Sequence, residues 1–178
     1  MNRKKLLVVV DYQNDFVDGA LGFPKAEQLE DAICAKIDTA HANGDDIVFT
    51  LDTHLADYLY TQEGKNLPVT HCVKGTAGWE LYGKIKELAV GHPQLEKNTF
   101  GCKVLFDYLL TAPTYDEIEL AGLVSNICVI SNAVIAKTAQ PEAAIVVDSN
   151  CTACFDPELH EKTLDVMEGL QIKVLNRD

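Results

Sequence analysis

Leu6-Leu7-Val8-Val9-Val10-Asp11 is the stretch on which the fold turns. An unbroken, largely β-branched apolar run that closes on a carboxylate has the form of a strand buried on both faces of a parallel sheet; a half-exposed strand would alternate with polar residues. Residues 47–51, 118–123, 144–147 and 172–175 repeat the form along the chain. Between them lie stretches of helical period. In 26–42, Leu29, Ile33, Ile37 and Ala40 recur every three or four residues, and Asn43-Gly44 supplies a stop. Residues 79–90, 103–110, 128–139 and 158–169 are the other helix candidates, the last opened by Asp156-Pro157. Strands alternating with helices predict an α/β fold of three layers: a doubly wound, mainly parallel sheet with helices on both faces. No linker, repeat or low-complexity tract interrupts residues 1–178, so one domain is expected.

Fifteen Lys and Arg stand against 27 Asp and Glu, a formal net charge of −12. A field of that sign repels phosphate backbones and argues against a nucleic-acid partner. The apolar runs fall far short of the ~20 residues a bilayer span needs, so no membrane partner is expected. Met1-Asn2-Arg3-Lys4-Lys5 leads into a strand-like run with no cleavage site, unlike a secretory signal. With six cysteines (Cys34, Cys72, Cys102, Cys128, Cys151 and Cys154), this predicts reduced thiols in a cytoplasm.

Ligands of open α/β sheets sit beyond the carboxyl ends of the strands, and chemistry-bearing residues gather there. Asp11-Tyr12-Gln13-Asn14-Asp15-Phe16 follows the first run, placing a carboxylate where it can accept a proton or cap a turn. Asp52-Thr53-His54 follows the second, and residues i and i+2 at a strand end point the same way. His71, seventeen positions on, can complete a three-ligand metal site with open positions, and Glu63 in the same loop is a candidate fourth ligand. Residues 53–78, without clear period, are longer than an ordinary connection, a common mark of function. In Gly122-Leu123-Val124-Ser125-Asn126-Ile127-Cys128-Val129 a strand hands over to a helix, and a thiol at a helix N-terminus is expected to favour the thiolate. Lys97 reads locally as a solvated charge, and Cys128 alone as a small buried apolar residue. Cys151-Thr152-Ala153-Cys154 has a redox or metal spacing in a single copy; His160 reads as a helix surface or packing residue, and His41 and His92 have no context.

In this order the motifs resemble the isochorismatase-like cysteine hydrolases, and within them the nicotinamidase (pyrazinamidase) branch. The resemblance rests on D-x-Q-N-D-F at 11–16, D-T-H at 52–54, H-C-x-x-G-T at 71–76, K-x-T-F-G at 97–101 and G-x-x-x-x-x-C-V at 122–129. It implies the isochorismatase-like hydrolase fold and a catalytic triad of Asp11, Lys97 and Cys128. It also implies a cis peptide between Leu123 and Val124, with the Val124 and Cys128 N–H groups as an oxyanion hole. Asp52, His54 and His71 would bind a divalent metal, zinc before others, and Phe16 would pack on the substrate ring. The implied activity is deamidation of nicotinamide to nicotinate and ammonia, within NAD salvage and pyridine nucleotide biosynthesis, by a cytoplasmic homo-oligomer (dimer or tetramer). Two alternatives stay open: a hydrolase of another small amide or carbamoyl compound, and a catalytically silent binding module.

Overall fold

The run that opened the sequence is the centre of the sheet. In the computed structural model, which describes residues 3–177, β1 (Lys5–Val10) pairs in parallel with β2 (Asp46–Asp52) on one side and β4 (Glu117–Leu123) on the other. Met1 and Asn2, the first residues of the N-terminal stretch, and Asp178 lie outside the described residues. β3 (Gln94–Lys97), β5 (Ala144–Ala153) and β6 (Lys173–Leu175) complete a six-stranded sheet of order β3-β2-β1-β4-β5-β6, every pairing parallel.

Among the described residues eight α-helices join the strands: α1 (Asn14–Val17), α2 (Pro24–Glu27), α3 (Glu30–Asn43), α4 (Gln62–Asn66), α5 (Gly83–Leu88), α6 (Lys103–Thr111), α7 (Ile130–Ala139) and α8 (Pro157–Gly169). Because strand side chains alternate in direction, β1 feeds two cores. Leu7 and Val9 pack with Ile33 and Ile37 of α3 and Ile85 of α5. Leu6, Val8 and Val10 pack with Leu105 of α6, Ala133 of α7 and Leu164 of α8. The result is the expected helix–sheet–helix sandwich. Among the described residues no helix is long and apolar enough to cross a membrane.

The order of strands reverses between β1 and β4, and a crevice opens beyond their carboxyl ends. Gly122 makes that approach feasible. It sits opposite Val10 with φ +116, and a Cβ there would run into the Val10 carbonyl oxygen, so no other residue fits without moving one of the two central strands.

The structure departs from the sequence expectation in several elements. The helix expected over 26–42 splits into a turn opened by Pro24 and a longer helix beginning at Glu30; its stop is as expected, with Gly44 left-handed at φ 71. The helix expected over 79–90 shrinks to α5, because Gln13 forms an antiparallel bridge with Leu81 and holds Glu80 and Leu81 extended. The last strand before α8 runs on from Val147 to Ala153 through polar Asp148, Ser149 and Asn150, with a register shift opposite Leu120 and Gly122. β3 went unseen because it is a four-residue edge strand with exposed Gln94 and Glu96, too short and polar to give a buried-strand signal.

Candidate active site

Asp11 is the first residue beyond β1 and lies in the left-handed region, φ +46, a conformation Asp tolerates better than most side chains. Its carboxylate is wholly buried. Oδ1 accepts a hydrogen bond from Thr50 Oγ1 at 2.7 Å, and Oδ2 lies 2.7 Å from Lys97 Nζ. Lys97 ends β3, paired across the ladder with Asp52 at the end of β2. The pairing draws the ammonium inward, where it donates to Asp52 Oδ1 (3.1 Å), Thr99 O (3.0 Å) and Cys128 Sγ (3.5 Å). The local reading of Lys97 as a solvated charge is therefore overturned: 1% of its side chain is exposed.

Cys128 lies in a π-helical turn, Ser125–Val129, that leads into α7 and directly follows the cis peptide between Leu123 and Val124. Asn132, one turn on, donates to the Cys128 carbonyl at 2.9 Å and accepts from the Cys102 N–H, tying the turn to the start of α6. The expectation of a thiolate at a helix end fails. Burial first, and the Asp11 carboxylate second, hold the Cys128 thiol well above its ordinary range despite Lys97. Burial also raises Asp11, whereas the surrounding acidic groups and the thiol outweigh burial at Lys97 and keep it cationic. The set is a thiol pushed toward its neutral form beside the Asp11 carboxyl group, which the Lys97 ammonium holds in place. Such a set can move the thiol proton to the carboxylate as sulfur attacks an electrophile.

The second cluster shares the same crevice. One donor atom each from Asp52, His54 and His71 lie within 4.8 Å of one another, and all three residues are buried. His54 Nε2 is 3.0 Å and His71 Nε2 3.4 Å from Asp52 Oδ2. The loop brings His71 home by pairing with the residue after the D-T step: His54 N–H donates to Cys72 O, and Lys74 N–H returns a bond to His54 O, both at 2.9 Å. His71 Nδ1 lies 2.7 Å from the Val69 carbonyl, which fixes Nδ1 as the protonated nitrogen and leaves the Nε2 lone pair facing the cluster. One carboxylate oxygen and two imidazole nitrogens, oriented from behind and open on one side, suit a divalent ion of zinc type. Glu63 Oε1 stands 3.5 Å from His54 Nε2, at the edge of this set.

Gln13, Asp15 and Tyr58 support the site and were not singled out from sequence. Gln13 grips Asp52 through both backbone groups, accepting from its N–H at 2.8 Å and donating to its carbonyl at 2.9 Å. Asp15 accepts the Cys72 N–H at 2.7 Å and so anchors the neighbour of His71. Tyr58, almost fully buried, packs its ring 4.5 Å from that of His54 and 4.9 Å from that of His71. The signal for Gln13 and Asp15 lay in the D-x-Q-N-D-F run itself; Tyr58 sat in the aperiodic stretch and had none. Trp79 packs against the core and donates from Nε1 to Thr53 Oγ1 at 2.9 Å. All six cysteines, Cys151 and Cys154 included, are free.

A cavity of about 280 Å³ joins the two clusters, with Asp52, His71 and Cys128 on its walls alongside Phe16, Val124 and Phe155. Phe16 meets the His71 ring edge-on, centroids 5.5 Å apart. The space is small and largely apolar, with Asp52, His71 and Cys128 among its few polar or reactive groups, and suits a single ring bearing a polar substituent.

The isochorismatase domain family model matches residues 5–178. The chain is 34% identical over 169 residues to an uncharacterized isochorismatase family protein, PncA, of Bacillus subtilis, covering 88% of this chain and 90% of that protein. Its structure superposes on the crystal structure of a nicotinamidase/pyrazinamidase PncA from Bacillus subtilis with a TM-score of 0.84 at 33% identity, over 97% of this chain and 100% of the other. It is also similar to a nicotinamidase of Saccharomyces cerevisiae, 26% identical over 97% of this chain and 100% of that protein.

Proposed function

The chain belongs to the isochorismatase family, and from that premise we propose that it is a single-domain cysteine amidohydrolase that converts nicotinamide to nicotinate and ammonia. The observation that carries the reading is one cavity walled by both the Cys128 end of the triad and the Asp52–His71 end of the ligand set. The relatives named nicotinamidases support the choice of amide.

Asp11 takes the proton from Cys128 as the sulfur attacks the carboxamide carbon, and the carbonyl π pair moves onto oxygen. The Val124 and Cys128 N–H groups receive that oxyanion; one such donor is worth about 2.7–4 kcal/mol in enzymes where it has been removed. Asp11 returns the proton to the amide nitrogen, the C–N bond breaks, and ammonia leaves. Asp11 then takes a proton from water as its oxygen attacks the thioester, the C–S bond breaks, Asp11 returns that proton to the departing Cys128 sulfur, and the acid loses its remaining proton to solvent as nicotinate. Lys97 holds Asp11 in position and balances its charge throughout. Asp52, His54 and His71 would hold a divalent ion, zinc by their donor set, whose Lewis acidity would orient and polarise a heteroaromatic nitrogen. Phe16 and Val124 confine the ring. We place this activity in NAD salvage, in the cytoplasm, in a homo-oligomer without nucleic-acid or membrane partners.

The reading is tested by ammonia release from nicotinamide, benzamide and a short aliphatic amide. Nicotinamide is expected to turn over fastest, with benzamide, which lacks the ring nitrogen, at least tenfold slower. Equal rates on all three would remove nicotinamide as the preferred substrate. His54→Ala is expected to reduce bound metal from about one per chain to well below one and to raise KM for nicotinamide by about 10–100-fold. Unchanged metal content by elemental analysis would place the ion elsewhere.

A further inference from the structure

Ser125 is completely buried, directly after the cis peptide and three residues before the nucleophile. A hydroxyl there needs a polar partner, and His160 on the first turn of α8 provides it: its Nδ1 lies 2.9 Å from Ser125 Oγ. His160 is thus half-buried on the face of α8, as expected of a surface or packing residue, and carries a polar contact as well. The two residues are 35 positions apart in sequence, so this bond adds a polar tie between the π turn and α8, which also share the apolar core through Val129 and Leu164. On one side of it is the π turn, closed by the Val129 N–H bonded to Val124 O at 3.1 Å. On the other is the end of α8 whose Asp156 and Leu159 wall the cavity.

We propose that His160 is a positioning residue for the oxyanion turn, acting through Ser125. The direction of the Val124 and Cys128 N–H groups depends on how the Ser125–Val129 turn sits. The turn is braced below by Asn132, which donates to the Cys128 carbonyl, and above by the Ser125–His160 bond. Burial holds the His160 imidazole below its ordinary range, so it stays neutral and can pair with the hydroxyl in either sense. Loss of the upper brace leaves Cys128, Asp11 and the ligand set intact but lets the oxyanion donors drift, which costs most when negative charge develops on oxygen.

This inference rests on the cysteine-hydrolase reading above, and its test separates the two. His160→Leu keeps volume and removes the polar atom; His160→Asn keeps a polar atom near the Nδ1 position. Steady-state hydrolysis of nicotinamide is compared for the wild type and both variants, with deuterium exchange of residues 123–129 measured without substrate. His160→Leu is expected to lower kcat by about tenfold with KM within about twofold. Exchange across the turn rises in that variant, and His160→Asn recovers most of both properties. A His160→Leu enzyme with wild-type kcat, or an Asn variant no better than Leu, overturns the proposal. Should the wild type release no ammonia from nicotinamide, the substrate reading fails. The exchange comparison then still decides whether His160 holds the turn, and equal exchange in all three proteins refutes it.

Discussion

Cys128→Ala is expected to abolish ammonia release from nicotinamide, by at least about 10⁴-fold, while leaving the fold and the metal content in place. Cys128 is the sulfur that meets both Lys97 Nζ, at 3.5 Å, and the cavity wall, and among the described residues no other cysteine does both. Cys154 reaches the same cavity, but its thiol turns to the Asp156 carbonyl at 3.0 Å. Replacing a buried sulfur by a methyl hydrogen removes little volume, so the stability loss should stay near 1 kcal/mol, a shift of a few degrees in Tm. The Asp11–Lys97 pair survives, and so does the ligand set, so nicotinamide should still bind with a Kd near that of the wild type. Substantial turnover by this variant would refute the nucleophile assignment. Loss of turnover together with loss of metal would instead show that the substitution had damaged the site as a whole.

Asp11→Asn is expected to separate two properties that usually travel together. Turnover should fall by about 10³-fold, because the amide cannot take the thiol proton or return it to the leaving nitrogen. Alkylation of Cys128 by iodoacetamide at pH 7 should nevertheless become faster than in the wild type. The sign follows from the surroundings of the sulfur: burial and the Asp11 charge raise the thiol, while Lys97 lowers it. Neutralising Asp11 removes one raising influence and leaves the ammonium less opposed, so the thiolate fraction at a given pH increases. A more ionised yet inactive cysteine would show that Asp11 matters as a proton carrier rather than as an activator of the resting thiol. A normal first burst of ammonia, or slower alkylation, would contradict that role. Replacing Lys97 would be a poorer probe, since it also leaves Asp11 and Asp52 facing each other without a counter-charge.

Much of this molecule was legible before any coordinates. Continuous apolar runs mark buried parallel strands because a strand covered on both faces has no polar positions to spare, and each of the five recognised runs is a strand. Asp11, Asp52 and Cys128 could be singled out because each lies just beyond such a run, where open sheets place their ligands. Order along the chain thus sufficed for the layers, the crevice and the residues that border it. What the sequence could not decide is everything that depends on the sum of distant neighbours. Lys97 becomes buried only because a short polar edge strand pairs it with Asp52. His71 could be named for the ligand set from the sequence, but the loop pairing with His54 that holds it there is a feature of the fold alone. Ser125 and His160 meet only once α8 folds across the π turn. The protonation of Cys128 is the clearest case. A local argument from the helix end favours the thiolate, but burial by both halves of the sheet and a carboxylate delivered from β1 outweigh it. Periodicity is a local property and survives in the sequence; burial and electrostatic potential are sums over three-dimensional surroundings, and only the tertiary structure sets them.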